Sequence, residues 1–237
     1  MIARQQAAKR SIEREIKISA GRTSLQGTLA LPEGASGLVF VAHGSGSSRH
    51  SPRNRYVAQV LQQHAIGTLL FDLLSFDEES IDEITSELRF HIPFLAQRLV
   101  QATEWVMRRP DLSRVKAGYF GTSTGAAAAL VAAAELPNRI GAIVSRGGRP
   151  DLAAAALGSV RAPTLLIVGA NDEPVMEMNQ KALARLRCEK KLVIIPGATH
   201  LFEEPGTLEE VARLAAEWFK EHLADGEPSE RTAQLTR

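Results

Sequence analysis

The stretch Gly121-Thr122-Ser123-Thr124-Gly125 decides the fold expected for this sequence of 237 residues, because of what flanks it. A short apolar run at 115–120 predicts a buried strand, and the alanine-rich run at 126–135 predicts a helix. A serine between glycines at a strand-to-helix turn is typical of a nucleophile elbow, since the strained turn tolerates only small neighbours. Such a turn would present the Ser123 hydroxyl beside a helix N-terminus, where negative charge is stabilised.

Composition limits the classes of partner that the chain is expected to bind. The sequence carries 28 basic and 27 acidic residues, a net charge of +1, so we expect neither nucleic acid nor a membrane as its main partner. Apolar residues make up 44% and charged residues 23%, close to the ordinary globular mix. A small-molecule substrate fits this balance, and the sequence leaves the oligomeric state open, a homodimer included.

Cysteine content and apolar runs bear on the compartment. The single cysteine, Cys188, rules out an intrachain disulfide and suits a reducing compartment. No apolar run approaches the roughly 20 residues needed to span a bilayer. Residues 1–10 carry positive charge but no apolar segment, so they do not read as a secretory signal. We therefore expect a cytoplasmic protein.

Strand and helix signals alternate along the chain, which predicts an α/β fold with a mostly parallel sheet of about eight strands and helices on both faces. Residues 11–19 and 23–31 predict an antiparallel hairpin at the sheet edge. Central strands are predicted at 38–42, 67–71, 115–120, 140–145, 164–168 and 192–195, and helices at 54–63, 81–109, 126–135, 176–186 and 208–222. We expect one domain over 11–224, an N-terminal extension over 1–10 and a disordered tail over 225–237.

A serine hydroxyl needs a base to remove its proton, and the base needs an acid to orient it. The predicted strand 164–168 is followed by Asp172, and the next one, 192–195, is followed by His200. The carboxyl ends of parallel strands form the edge where such folds place their sites. The chain order Ser123, Asp172, His200 is that of hydrolases that carry a nucleophile elbow. Glu173 is the alternative acid, and Asp172 is preferred.

An oxyanion hole needs two N–H donors aimed at the developing charge. One candidate is the backbone amide of Thr124, directly after the nucleophile. The second should come from the loop after the first central strand, which reads His43-Gly44-Ser45-Gly46, and the amide of Ser45 is the best candidate there. His43 is expected to hold this loop in place instead of acting as a second base.

These motifs together resemble an α/β-hydrolase, and the small lidless dienelactone-hydrolase-like group is the most similar branch in length and layout. The resemblance covers about 11–223. It implies hydrolysis of short-chain esters without a cofactor, and it implies no inserted lid, since the connection from 145 to 164 is short. Dienelactone hydrolase carries a cysteine at the elbow, whereas this chain has Ser123. That departure favours serine esterase chemistry over dienelactone as the substrate.

Candidate substrate contacts lie on the same rim as the predicted triad. Arg146, in the stretch Arg146-Gly147-Gly148-Arg149, could bind a substrate carboxylate through two parallel hydrogen bonds. The alternative for both arginines is a surface ion pair or a brace for the loop. Phe76, Phe90 and Phe202 suggest an apolar pocket for the acyl group.

Several other functions remain open at this point. A thioesterase, a lactonase or an acyltransferase would use the same triad, and a ligand receptor on this fold could retain it. Residues 121–125 could cradle a phosphate at a helix N-terminus, but that role leaves Asp172 and His200 unexplained. The sequence has no His-Glu-x-x-His motif and no cysteine cluster, so we expect no metal site.

Overall fold

A computed structural model describes residues 11–112 and 115–224. The segments 1–10 and 225–237, predicted as an extension and a disordered tail, lie outside the described residues. Eight strands form one sheet: β1 (Ser11–Ala20), β2 (Thr23–Pro32), β3 (Gly37–Ala42), β4 (Gly67–Phe71), β5 (Lys116–Thr122), β6 (Ile140–Arg146), β7 (Thr164–Gly169) and β8 (Lys190–Ile195). Six helices accompany them: α1 (Pro52–Gln63), α2 (Phe76–Thr85), α3 (Ile92–Met107), α4 (Thr124–Glu135), α5 (Glu173–Arg185) and α6 (Thr207–Leu223).

The order of the strands in the sheet is β1-β2-β4-β3-β5-β6-β7-β8. The strands β1 and β2 form the predicted antiparallel hairpin, and β2 runs antiparallel to β4. The other neighbours are parallel, so the carboxyl ends of β3, β5, β6, β7 and β8 meet at one edge. This is the α/β-hydrolase architecture that the sequence predicted, and it collects the loops that carry Ser123, Asp172 and His200.

Helices cover both faces of the sheet and bury two apolar cores. One core packs α3, α4 and α5 against the sheet, and the other packs α1 and α6 against the opposite face. The central strands β3 to β7 are buried along almost their whole length. Their sequences therefore read as continuous apolar runs, as expected for parallel strands with helices on both sides.

The helix predicted over 81–109 is interrupted. Helix α2 ends at Thr85, Ser86 adopts a left-handed conformation with φ of 56°, and a 3₁₀ turn at Leu88–Phe90 leads into α3. The buried carboxylate of Asp82 holds this turn, since it accepts hydrogen bonds from the Leu88 amide at 2.7 Å and from Arg89 Nε at 2.6 Å. Pro93 stands in the first turn of α3, where its missing N–H is tolerated. This proline was the signal for the break.

The connection from β6 to β7 contains two short 3₁₀ turns, Pro150–Ala153 and Leu157–Ser159, and no inserted helical domain. The carboxyl edge of the sheet is therefore bordered there by a tight loop, as the short spacing predicted. Within 11–112 and 115–224, no helix is long and apolar enough to cross a membrane.

Candidate active site

Ser123 stands at the turn between β5 and α4 with φ of 50° and ψ of −121°. Such backbone angles are costly for a residue with a side chain, by about 1–3 kcal/mol, and they persist only where the surroundings enforce them. The two glycines allow the turn. A Cβ atom on Gly121 would lie 2.4 Å from Ala126 Cα, and one on Gly125 would lie 2.2 Å from the Ala42 carbonyl oxygen. The elbow therefore has space for hydrogen alone at both positions.

Backbone hydrogen bonds from the neighbouring strand hold the elbow. The Ser123 amide donates to the Arg146 carbonyl oxygen at 3.3 Å, and the Ser123 carbonyl oxygen accepts from the Arg149 amide at 3.1 Å. The loop after β6 thus stabilises the strained backbone conformation of Ser123.

His200 and Asp172 are in direct contact. The distance from His200 Nδ1 to Asp172 Oδ2 is 2.6 Å. Because a carboxylate only accepts, this contact places a proton on Nδ1 and leaves the lone pair of Nε2 free to take another. Asp172 precedes the first residue of α5 but makes no capping hydrogen bond with its side chain, so its carboxylate is available to the ring. The structure pairs His200 with Asp172 and not with Glu173.

The loops that carry Asp172 and His200 are joined by hydrogen bonds and close packing. The Asn171 amide donates to the Ala198 carbonyl oxygen at 2.9 Å. A Cβ atom on Gly169 would lie 2.2 Å from that same oxygen, so the two loops approach too closely for a side chain. Glu204 accepts from the Thr199 hydroxyl at 2.6 Å and from its amide at 3.2 Å. The ring of His200 is thus positioned from both sides of its own loop.

Ser123 and His200 line the same cavity, whose volume is about 540 Å³. This cavity opens beside the loop that follows β3 and the N-terminus of α1. Across the described part of the chain, Ser123 Oγ has no hydrogen-bond partner, so proton transfer requires it to close on His200 Nε2. Such contacts commonly tighten when substrate binds.

The loop after β3 lies against the nucleophile. His43 Nε2 accepts from the Leu73 amide at 3.1 Å, and its Nδ1 lies 3.0 Å from the Gly44 carbonyl oxygen. These contacts fix a neutral ring with the proton on Nδ1, and burial lowers the pKa of His43 below its usual value. His43 therefore braces the loop, the role that the sequence indicated.

The two predicted oxyanion donors are the backbone amides of Thr124 and Ser45. The Ser45 amide already has a hydrogen-bond partner. The Ser45 amide donates to Thr124 Oγ1 at 2.9 Å. The loop after β3 therefore lies next to Ser123. The Thr124 hydroxyl, for which the sequence suggested no role, accepts the hydrogen bond that was assigned to a substrate oxygen.

Arg146, the last residue of β6, points into the cavity of Ser123 and is 7% exposed. Its Nε and Nη1 have no hydrogen-bond partner within the described residues. Burial, together with the nearby charge of Arg53, lowers the pKa of Arg146 to about 10. By contrast, Arg149 forms an ion pair with Asp151, with 2.8 Å between Nη2 and Oδ2. This is the structural role that the sequence analysis gave as the alternative to substrate binding.

The phenylalanines do not form the apolar pocket that the sequence suggested. Phe76 on α2 and Phe90 in the 3₁₀ turn are 84% and 55% exposed, and neither lines the cavity of Ser123. Phe202 is buried under Arg146, with the guanidinium carbon 5.9 Å from the ring centroid. The apolar side chains nearest to the oxyanion loop belong instead to a narrow crevice lined by Leu73, Leu74 and Leu95.

The family follows from a match over most of the chain. The model of the Dienelactone hydrolase family matches residues 62–223, more than half of the chain. The chain belongs to the dienelactone hydrolase family. This places it among the α/β-hydrolases, in agreement with the sheet order and the elbow described above.

Solved structures of other proteins show the same fold. The chain is similar to the crystal structure of a dienelactone hydrolase from Anabaena variabilis, with 59% identity, a TM-score of 0.89, and coverage of 90% of this chain and 98% of that one. It also resembles Est1E from Butyrivibrio proteoclasticus, with 16% identity, a TM-score of 0.75, and coverage of 88% and 98%. At that identity the second likeness concerns the fold alone.

Two curated relatives, from two strains of Mycobacterium tuberculosis, are provisionally named phosphoribosyl transferases. Each is 54% identical over 217 residues, which is 92% of this chain and 48% of the relative. The chain thus spans about half the length of the curated relatives that it matches.

Two residues that border the site in this member of the dienelactone hydrolase family were not predicted from the sequence. Arg53 on α1 lines the cavity, and Gly147 packs against His200, with a Cβ on Gly147 3.5 Å from ring atoms Nδ1 and Cε1. For Gly147 a signal existed, since a glycine after a parallel strand often takes a positive φ, here 52°. Arg53 had none, because its approach depends on how α1 packs.

Proposed function

We propose that this α/β-hydrolase cleaves small carboxylic esters through an acyl-enzyme on the triad Ser123, His200 and Asp172. The observation that carries the proposal is the 2.6 Å contact of His200 with Asp172 in a loop bordering the cavity of a strained serine. A histidine held in this tautomer is a general base, and a serine at an elbow is the nucleophile that such a base serves.

The reaction follows from these groups. His200 Nε2 takes the proton of Ser123 Oγ as the oxygen attacks the ester carbonyl carbon, and the carbonyl oxygen becomes an oxyanion. The backbone amide of Thr124 stabilises that charge, and the amide of Ser45 joins it on leaving Thr124 Oγ1. Collapse breaks the bond to the alcohol oxygen, which takes the proton from His200.

Deacylation repeats these steps with water as the nucleophile in place of the Ser123 hydroxyl. His200 removes a proton from a water molecule that attacks the acyl carbon, and Ser123 leaves with the proton returned by His200. The products are one alcohol and one carboxylic acid, and the steps use protein groups and water only.

The similarity to a protein named dienelactone hydrolase adds lactones to the substrates worth testing, since a lactone is a cyclic ester opened by the same steps. The name phosphoribosyl transferase belongs to proteins about twice as long as this chain. Thioester cleavage and acyl transfer would use the same triad and differ in the leaving group or the acceptor.

The test compares the wild type with Ser123→Ala on p-nitrophenyl acetate and p-nitrophenyl butyrate. Turnover should fall at least 10⁴-fold in the variant, because removing a triad member costs about 10⁴- to 10⁶-fold in kcat. Comparable turnover by the two proteins would refute the assignment. A fluorophosphonate probe should label Ser123 in the wild type, whereas an idle receptor with a misaligned triad should not label there.

A further inference from the structure

The guanidinium of Arg146 is a buried cation without an ionic partner. Within 11–112 and 115–224 no carboxylate forms an ion pair with it, and two of its three nitrogens have no hydrogen bond at all. A buried charge is normally paired, because its desolvation is otherwise uncompensated. Arg146 stands beside the nucleophile strand, in register with Thr122, and lines the cavity of Ser123. An anion in that cavity would supply the missing partner.

A second cation lines the same cavity. Arg53, near the start of α1, lines it as well, and its Nε is buried without a hydrogen-bond partner. Its Nη1 is engaged with the exposed Glu203 at 2.7 Å, so this arginine is partly neutralised. Two guanidinium groups of one charge sign facing one cavity repel each other, and the repulsion is relieved by an anion between them.

Hydroxyl groups complete the lining. Ser48 Oγ accepts from the His50 amide at 3.2 Å, and Ser51 Oγ accepts from the Asn54 amide at 3.4 Å as the cap of α1. Within the described residues neither hydroxyl donates a hydrogen bond, so each proton remains available to an acceptor in the cavity. The N-terminus of the 12-residue helix α1 adds its positive dipole end at the same wall.

A purely structural role for Arg146 explains less. Its guanidinium carbon lies 5.9 Å from the centroid of Phe202, close to the limit of a cation–π contact. Stacking of this kind offsets part of the cost of burial, but it leaves the unpartnered N–H donors unsatisfied. A brace would be expected to have its donors on backbone carbonyl oxygens, as Arg185 has on Ala154.

We propose that the cavity binds a phosphate monoester group of the substrate, held by Arg146 and Arg53 while the scissile ester lies at Ser123. A phosphate monoester carries close to two negative charges and three acceptor oxygens, which match two guanidinium groups and the serine hydroxyls. A carboxylate offers one charge and two oxygens. The volume of about 540 Å³ has room for both parts of such a substrate. The assignment of the scissile bond rests on the proposed ester hydrolysis, whereas the anion site does not.

The binding test uses inorganic phosphate and the Ser123→Ala protein, so that it is independent of catalysis. Isothermal titration calorimetry at fixed ionic strength should show phosphate binding at least 10-fold tighter than acetate. The further change Arg146→Met should weaken phosphate binding at least 10-fold. Arg108→Met, which removes the same charge from an exposed position far from the cavity, should not. Equal binding of acetate and phosphate, or an equal effect of the two arginine variants, would overturn the proposal.

A kinetic test separates this proposal from the reaction itself. In the wild type, kcat/KM for the butyrate ester of glycerol phosphate should exceed that for the matching neutral glycerol ester at least 10-fold, and Arg146→Met should bring the ratio close to one. Hydrolysis of neutral esters without this preference would refute the phosphate site and leave the esterase standing. Phosphate binding without any ester hydrolysis would refute the proposed esterase activity and leave the phosphate site standing.

Folding of the variant provides a further readout. Arg146→Met removes an unpaired buried charge and fills a similar volume, so in phosphate-free buffer we expect Tm to rise by about 2–5 °C. A lower Tm together with unchanged phosphate binding would assign Arg146 a structural role and overturn the proposal.

Discussion

The amide of Ser45 donates a hydrogen bond to the hydroxyl oxygen of Thr124 at 2.9 Å. This bond joins the loop after β3 to the first residue of α4, the two segments from which oxyanion donors are expected. Since Thr124 Oγ1 accepts from Ser45, its own proton is free to be donated. The hydroxyl therefore both aligns the loop and can offer a third hydrogen bond to a charged substrate oxygen.

Replacing Thr124 tests this relationship. Thr124→Val keeps the shape but removes both the acceptor and the donor, so we expect kcat/KM for p-nitrophenyl acetate to fall about 10- to 100-fold, somewhat less than the loss of a direct donor. Thr124→Ser keeps the hydroxyl and should retain most of the activity. If the valine variant is as active as the serine variant, the hydroxyl has no part in the reaction.

The contact between His200 and Asp172 predicts which acid matters. Asp172→Asn would donate to Nδ1 and force the ring into the opposite tautomer, so kcat should fall about 10³- to 10⁴-fold. Glu173→Gln, one residue along the chain, makes no contact with the ring and should leave kcat unchanged. Ester hydrolysis rates of the purified variants decide the point, and an equal loss in both would contradict the assignment.

Much of this arrangement could be predicted from the sequence because it depends on strand ends. Strand-to-helix turns, small residues at 121 and 125, and polar residues after successive apolar runs are local signals, and a parallel sheet brings them to one edge. The elbow, the acid and the base each follow a strand, so their neighbourhood depends on topology alone. The hairpin at 11–32 is equally local, since consecutive strands pair through a short turn.

The lining of the cavity could not be predicted from the sequence, because it depends on how side chains of different helices and strands pack together. Phe76 and Phe90 are apolar, yet both side chains are exposed and neither lines the cavity of Ser123. The hydrophobic periodicity over 81–109 did not predict the turn after α2. The turn depends on hydrogen bonds from two backbone amides to the buried Asp82 carboxylate, and such contacts do not alter the spacing of apolar residues. Arg53 enters the cavity only because α1 packs against the sheet on that side.

The buried ring of His43 makes the stability of the fold depend on pH. Burial lowers the pKa of His43 in the folded protein, so below about pH 6.5, the ordinary histidine value, the unfolded chain takes up a proton that the folded one excludes. The stability contributed by this ring is therefore complete above that pH and is lost as the pH falls below it.

Two measurements check this expectation. The ¹⁵N shifts of His43 should show a neutral ring with the proton on Nδ1 at pH 6. The difference in Tm between wild type and His43→Gln should shrink from pH 7.5 to pH 5.5, because only the wild type has this ring to protonate on unfolding. A ring that titrates at or above 6.5, or a difference independent of pH, would refute the prediction.

Gly147 is expected to set the position of the catalytic base. It has φ of 52°, and a Cβ there would lie 3.2 Å from the His200 carbonyl oxygen and 3.5 Å from its ring. Gly147→Ala therefore strains the backbone and also shifts the His200 loop by a few tenths of an ångström. Gly34 provides a matched control, since its φ is 71° and a methyl group added there would have no atom within 4 Å.

Both alanine variants should lose about 1–2 kcal/mol of stability from the left-handed backbone, which lowers Tm by about 2–8 °C in a domain of this size. Only Gly147→Ala should also lower kcat, by about 10- to 100-fold, because a displaced base is out of reach of Ser123 Oγ. Melting curves and ester kinetics on the two purified variants separate the effects. Equal kcat values in the two would mean that Gly147 contributes backbone conformation alone and that the loop of His200 is held by Thr199 and Glu204.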